Sequence, residues 1–94
     1  MYLPLTNNPE EKFSVSINDT LYNFRQLWSE YGFWALDISL ADGTILISGV
    51  KLVVQEDILG QYPNIPFGLL SSDDTDPERD NLEEFEFEVI DIVS

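Results

Sequence analysis

Apolar and polar residues alternate along much of the chain with a period of two, which is typical of a β-strand that buries one face. In residues 13–17, three apolar side chains alternate with two serines, and the turn-forming residues Asn18 and Asp19 follow. The next segment, residues 21–28, carries apolar side chains on both of its faces. We therefore expect this second strand to lie inside a sheet rather than at its edge.

Two further apolar segments, residues 33–40 and 44–54, flank the dipeptide Asp42-Gly43. Asp-Gly between apolar segments is favoured in tight hairpins, because a type I′ turn needs positive φ at both central residues. Gly49 in the later segment indicates a bulge or a close approach of another backbone. Together with the strand before them, these segments predict a three-stranded meander.

The second half of the chain gives weaker signals. Apolar residues at helical spacing behind two acidic ones predict a short helical turn near residues 56–62. Residues 67–71 can add a brief strand, and residues 72–80 are polar and acidic with nothing to bury, so we expect a mobile loop there. Residues 84–89 alternate strictly between Glu and apolar side chains, which predicts a final strand.

Short strands separated by turn signals predict an all-β fold, either a small antiparallel barrel, of which an OB-like barrel is one form, or a sandwich. The 94 residues suffice for one hydrophobic core and are too few for two, so we predict a single domain over residues 1–94. No uninterrupted apolar stretch approaches the roughly 20 residues of a membrane span. We recognise no targeting segment either.

The composition argues against catalysis, because the chain contains no histidine and no cysteine. Histidine is the commonest general base near neutral pH, and histidine and cysteine are the usual ligands of zinc. The acidic loop offers oxygen atoms that could suit Ca²⁺, but it lacks the glycine of a calcium loop and Pro77 interrupts it. We therefore predict a protein that is not an enzyme, with no cofactor and no catalytic, cofactor-binding or metal-ligating residue.

The chain is strongly acidic, with 18 Asp and Glu residues against 4 Lys and Arg and a formal net charge of −14. Such a charge disfavours direct binding to nucleic acid phosphates. Three interpretations of it remain open: an acidic surface that keeps the protein dispersed, a surface for a basic partner, or a mimic of DNA in which carboxylates replace phosphates.

A family resemblance covers nearly the whole chain and lies in the order and spacing of many short matches. The matches are Leu3-Pro4-Leu5, Tyr22-Asn23-Phe24-Arg25, Trp34-Ala35-Leu36-Asp37-Ile38, Asp42-Gly43, Leu46, Gly49-Val50, Leu52-Val53, Asp57-Ile58-Leu59, Tyr62, Asp76-Pro77, Asp80-Asn81-Leu82 and Phe85. In these positions the chain resembles the small plug proteins in the baseplates of contractile-tailed bacteriophages. It departs from their pattern at Lys51, where proline is expected, at Glu83, where glycine is expected, and near Glu86 and Glu88, where basic or neutral residues are commoner.

The resemblance implies a non-enzymatic structural protein of the virion, made in the bacterial host cytoplasm and placed in the tail baseplate. Its implied task is to close the central channel where the hub meets the tail tube and spike. The implied partners are hub, tube and spike proteins, with a symmetric ring of copies. We expect no cofactor, no direct contact with nucleic acid and no membrane binding.

Apolar side chains persist to both ends of the chain, and we expect them to contact neighbouring subunits. The residues are Tyr2, Leu3, Leu5, Ile90, Ile92 and Val93. The alternative function is an acidic DNA-mimic inhibitor of a host DNA-binding protein, which has the same size and charge. Its binding would collapse with added salt, whereas a plug held by a mostly apolar interface would depend less on salt.

Overall fold

The computed structural model describes residues 2–60, 62 and 64–91, and in them the protein is nearly all β. The strands are β1 (Glu10–Ile17), β2 (Thr20–Trp28), β3 (Trp34–Leu40), β4 (Ile45–Lys51), β5 (Phe67–Leu70) and β6 (Glu88–Asp91). The predicted all-β fold is confirmed. Within the described ranges no helix is long and apolar enough to cross a membrane.

The strands form two antiparallel sheets. The larger is a meander in the order β1-β2-β3-β4, and the smaller pairs β5 with β6. Among the described residues β1 pairs only with β2 and β4 only with β3, so the larger sheet keeps two edges. Its failure to close excludes the barrel alternative and leaves two sheets that share one core.

The type I′ turn lies in a different hairpin from the one that the sequence predicted. Asn18 and Asp19 have φ of 51° and 64° and join β1 to β2 in a two-residue turn of the I′ kind. At Asp42-Gly43 only the glycine has positive φ, at 94°, and its N–H donates to the carbonyl of Leu40 at 2.9 Å. The β3–β4 connection is therefore a three-residue loop, in which a tight turn is followed by a glycine bulge.

The predicted bulge at Gly49 is present. Leu36 pairs with Val50 and Ile38 with Ile47, so β4 contains one more residue than β3 between these two pairs. Gly49 has a φ of 73°, as the bulge requires. A second register shift follows toward the start of β4, and both irregularities lie on the edge strand of the sheet.

The core lies between one face of the larger sheet and the smaller sheet. Phe67 of β5 packs its ring against Tyr22, with centroids 5.0 Å apart, and against Phe24, with centroids 6.3 Å apart. In β2 the buried side chains of this face, Tyr22, Phe24 and Gln26, alternate with half-buried ones on the other face, and in β3 Trp34, Leu36 and Ile38 are buried on it. The largest fully buried apolar side chains are Trp34, Phe24, Phe67, Phe87, Leu36, Ile38, Leu52, Leu59, Leu69 and Leu82.

The helical turn lies elsewhere than expected. Near residues 56–62 the described residues make two successive hydrogen-bonded turns, from Gly60 to Asp57 and from Tyr62 to Leu59. A 3₁₀ helix forms instead at Leu82–Glu84. The final strand consequently begins at Glu88 rather than at residue 84, although the predicted alternation still buries Phe87 and Val89.

The acidic loop over residues 72–80 is attached to the core. Pro77 is buried, and the indole N–H of Trp34 donates to the carbonyl of Glu78 at 2.7 Å. The backbone N–H of Val54 donates to Asp76 Oδ1 at 3.1 Å. The expectation that this loop has nothing to bury is therefore wrong, because it covers the edge of a tryptophan that the strands leave open.

Candidate docking surfaces

The N-terminal segment lies against the sheet through one buried amide. Gln26 of β2 is fully buried, and its Oε1 accepts from the N–H of Thr6 at 3.0 Å. Its Nε2 donates to the carbonyls of Thr6 and Asn8, both at 2.8 Å. Leu3 and Leu5, expected to contact neighbouring subunits, are 5% and 8% exposed within this chain's own core, which leaves little of either side chain for a neighbour.

The two groups of predicted contact residues come together in space. Tyr2 forms an isolated antiparallel bridge with Glu88, and the N–H of Leu3 donates to the carbonyl of Phe87 at 3.0 Å. Tyr2 is 56% exposed, and Ile90 follows on β6 as a half-buried side chain. Ile92 and Val93 lie outside the described residues. The structure thus makes one surface, the terminal patch, from Tyr2 and Ile90.

The outer face of the larger sheet is a second candidate. A shallow concavity of about 620 Å³ spans it. Arg25 lies in the middle, with its guanidinium 3.3 Å from Glu10 and 3.1 Å from Asp37. The other Asp37 oxygen accepts from the N–H of Gly49 at 2.7 Å, so this carboxylate joins an ion pair to the β4 bulge.

Charge is distributed unequally between the two halves of the chain. Residues 53–94, which form the smaller sheet and the loops around it, have twelve acidic residues and one basic, a net charge of −11. Residues 1–52 have six acidic and three basic residues, a net charge of −3. The cross-strand pairs put the three basic residues Lys12, Arg25 and Lys51 on the outer face. The second half of the chain is therefore strongly acidic, while three of the four basic residues lie on the outer face of the larger sheet.

Sequence reasoning missed three exposed apolar positions, of which Leu21 on β2 is 48% exposed. Tyr31 is 83% exposed at the tip of the β2–β3 connection, and Ile45 is 73% exposed at the start of β4. The connection is ordered by short-range bonds, since Ser29 Oγ accepts from the N–H of Tyr31 at 3.0 Å and Gly32 has a φ of 89°. A turn residue flanked by Glu30 and Gly32 is exposed by default, which is the signal that could have identified Tyr31 as an exposed apolar side chain.

In the part of the chain that the structure describes, no cluster of side chains suited to catalysis or metal binding is present. No three Asp or Glu side chains there converge as metal ligands. Asp42 has a lowered pKa, because the backbone N–H of Thr44 donates to its Oδ1 at 2.9 Å and the Thr44 side chain adds to this effect. This carboxylate stabilises the β3–β4 turn, so its lowered pKa has a structural cause.

A two-sheet sandwich with exposed aromatic side chains and an exposed sheet face suits a protein that acts by binding other proteins. A comparison with known families shows to which group of such proteins the chain belongs. A protein-family model described as "Cyanophage baseplate Pam3 plug gp18" matches residues 1–92. The chain belongs to this family. No curated protein matches it in sequence. Membership in a baseplate plug family supports a structural role in the tail baseplate of a phage virion and interaction with other baseplate components.

Proposed function

We propose that this chain is a non-enzymatic plug that closes the central channel of a contractile-tail baseplate through contacts with hub, tube and spike proteins. The observation that carries this proposal is the family match, which covers residues 1–92 and so nearly the whole chain. The fold supports it, because a small two-sheet protein with edge strands and exposed aromatic side chains can be held in place by its neighbours.

Within this role, the terminal patch is the proposed contact with neighbouring subunits. Tyr2 offers a large apolar surface with a hydroxyl at its end, which is a frequent composition of interface anchors. Leu3 and Leu5 act from inside, because their burial holds Tyr2 beside Glu88. Ile90 extends the patch along β6, and Ile92 and Val93 belong to the same proposed contact. A ring of copies around the tail axis would repeat this contact.

The proposal is tested on purified tail particles, before and after induced contraction, by mass spectrometry of this chain. Presence in intact tails supports a baseplate component, and its loss on contraction supports a plug that is displaced. Retention after contraction would contradict displacement. Absence from particles together with abundance in infected-cell lysate would refute the baseplate role and favour the DNA-mimic inhibitor, whose acidic surface the −11 half of the chain would supply.

The terminal patch is tested by a matched pair of tyrosine substitutions in the phage. Tyr2→Ala should lower the amount of the chain in purified tails, whereas Tyr31→Ala removes an even more exposed tyrosine from the β2–β3 connection, outside the terminal patch, and should leave incorporation unchanged. Urea unfolding of both purified variants checks that neither substitution acts by unfolding the chain. Equal incorporation of both variants at the wild-type level would exclude the terminal patch as the contact.

A further inference from the structure

The two edges of the larger sheet are unlike each other. On the β4 edge the strand bulges twice, and the side-chain amide of Asn64 donates to the carbonyl of Leu46 at 3.1 Å. Bulges and covering groups are the devices by which proteins prevent another strand from adding to an edge. On the β1 edge, all residues from Glu10 to Ile17 pair with β2 in one unbroken register. That edge is regular, and the residues that the structure describes leave it uncovered.

The register shows which backbone groups of β1 are free. The N–H of Trp28 donates to the carbonyl of Pro9 at 2.8 Å, so this pair is of the hydrogen-bonded kind. Hydrogen-bonded and non-hydrogen-bonded pairs alternate along an antiparallel ladder, so the odd-numbered residues of β1 bond to β2. The even-numbered ones, Glu10, Lys12, Ser14 and Ser16, direct their N–H and C=O groups outward. They are all exposed, and within the described part of the chain no backbone hydrogen bond takes up these groups.

We propose that a second copy of this chain adds to this edge, with the two β1 strands antiparallel about a two-fold axis. The register that pairs all four outward residues with one another places Lys12 opposite Ser14 of the second copy and Glu10 opposite its Ser16. No like charges then lie directly opposite, a condition that stabilises cross-strand pairs. The two Phe13 side chains meet at the axis, where each ring already stacks on Phe24 at 5.3 Å between centroids.

The low charge near this edge favours a second copy as the partner, in spite of the chain's net charge of −14. Residues 10–28, which form the β1–β2 hairpin, contain three acidic and two basic residues and so have a net charge of −1. Most of the acidic side chains belong to the other half of the molecule. Two copies that meet along β1 therefore bring together a weakly acidic part of each chain. Added salt should strengthen the pairing, since it screens the remaining repulsion between the two copies.

The pairing is tested on the purified chain by sedimentation equilibrium over a wide concentration range, at low and high salt. We expect a concentration-dependent dimer that tightens with salt. In amide exchange followed by NMR, Lys12, Ser14 and Ser16 should gain protection as concentration rises, while Val15 is protected at every concentration. A chain that stays monomeric at all concentrations would overturn the proposal, and so would protection of the even-numbered amides that does not depend on concentration.

Variants at Ser14 make the test specific. Ser14→Pro removes an outward N–H without breaking a backbone hydrogen bond to β2, and of the bonds to β2 it loses only the exposed one from the Ser14 hydroxyl to Asn23. The variant should therefore fold and remain monomeric. Ser14→Glu should tighten the dimer and Ser14→Lys should loosen it, each by roughly 2- to 30-fold through two symmetry-related pairs with Lys12. General repulsion predicts the reverse order, because Glu makes an acidic chain more acidic. That reverse order would overturn the register, as would a Ser14→Pro variant that still dimerises.

Tryptophan fluorescence of each variant establishes that it is folded. If Ser14→Pro fails to fold, the Glu and Lys pair decides the question without it. Dimerisation is a property of the free chain, so it does not depend on the plug role. Failure to dimerise would leave the baseplate role intact, and absence from tail particles would leave the dimer intact.

Discussion

Replacement of Gln26 by leucine should detach the N-terminal segment from the sheet. The glutamine is fully buried and bonds three backbone groups, the N–H and C=O of Thr6 and the C=O of Asn8, at 2.8 to 3.0 Å. Leucine has nearly the same volume, so Gln26→Leu opens no large cavity. It removes every one of these bonds and leaves the three backbone groups without their partner.

The expected loss in the free energy of unfolding follows from these three hydrogen bonds. A hydrogen bond contributes about 1 kcal/mol net, and a buried group left unsatisfied costs about 1–3 kcal/mol. Thr6 is only partly buried and Asn8 is exposed, so water recovers part of the loss, and the lower figure applies to each bond. We expect Gln26→Leu to reduce the free energy of unfolding by about 3 kcal/mol. For a chain of this size that lowers Tm by roughly 12–24 °C.

Urea unfolding, followed by the fluorescence of Trp28 and Trp34, measures this difference. The matched control is Asn23→Leu on the same strand, because Asn23 lies on the outer face and makes one exposed hydrogen bond, to Ser14 at 2.7 Å. The control should change stability by less than about 0.5 kcal/mol. A Gln26→Leu variant as stable as the wild type would show that this amide does not hold the N-terminal segment.

Three further substitutions test other contacts by the same unfolding assay. Gly68→Ala should destabilise by about 1–3 kcal/mol, because its Cβ would lie 2.5 Å from Oδ2 of Asp57, a carboxylate whose other oxygen accepts two backbone N–H groups. Asp42→Asn should have its largest effect at neutral pH: the lowered pKa stabilises the folded state above the unfolded pKa, and this is lost as pH falls through the folded pKa. Trp34→Phe should cost about 1–3 kcal/mol, because the carbonyl of Glu78 loses the indole donor.

Each of these expectations has its own contradicting result. For Gly68 the control is Gly60→Ala, whose Cβ would meet nothing closer than 3.4 Å, and equal losses at both glycines would contradict the crowding by Asp57. For Asp42, a difference from the wild type that stays constant from neutral to strongly acidic pH would show that the charge of this carboxylate has no effect on stability. For Trp34, an unchanged urea midpoint would mean that the acidic loop is not held by the indole.

The strand pattern was predictable because each strand has one buried face, and period-two alternation reports burial directly. The positions of the turns were predictable too, but their types were not. Asn18-Asp19 and Asp42-Gly43 both contain residues that tolerate positive φ. The dipeptide with glycine was the stronger candidate for a type I′ turn, yet the pairing of Ser39 with Ile45 leaves room there only for a longer loop.

The apolar residues near the two chain ends, which we predicted to contact neighbouring subunits, show what the sequence pattern could not predict. Apolar residues near a chain end can pack against neighbours or against their own core, and alternation does not distinguish the two. Gln26 held the missing information: it is a polar residue between Phe24 and Trp28 on an apolar face, so its burial demanded hydrogen-bonding partners. Those partners lie in residues 6–8, which places Leu3 and Leu5 inside the core. The exposed Tyr31 carried no periodic signal at all.

The hydrogen bond between Leu3 and Phe87 also has a consequence for the order of folding. Strands β1 to β4 pair only with their neighbours in sequence, so this sheet can assemble as soon as residue 51 has been made. Its apolar face then stays open until residue 87 and the strand after it emerge, because β5, β6 and the N-terminal segment must close over it together. During synthesis at about 5–20 residues per second, the residues from 52 to 87 take roughly 2–7 seconds to add, and that face lacks its cover until they are added. The nascent meander is thus the form of this protein that most needs protection by a chaperone.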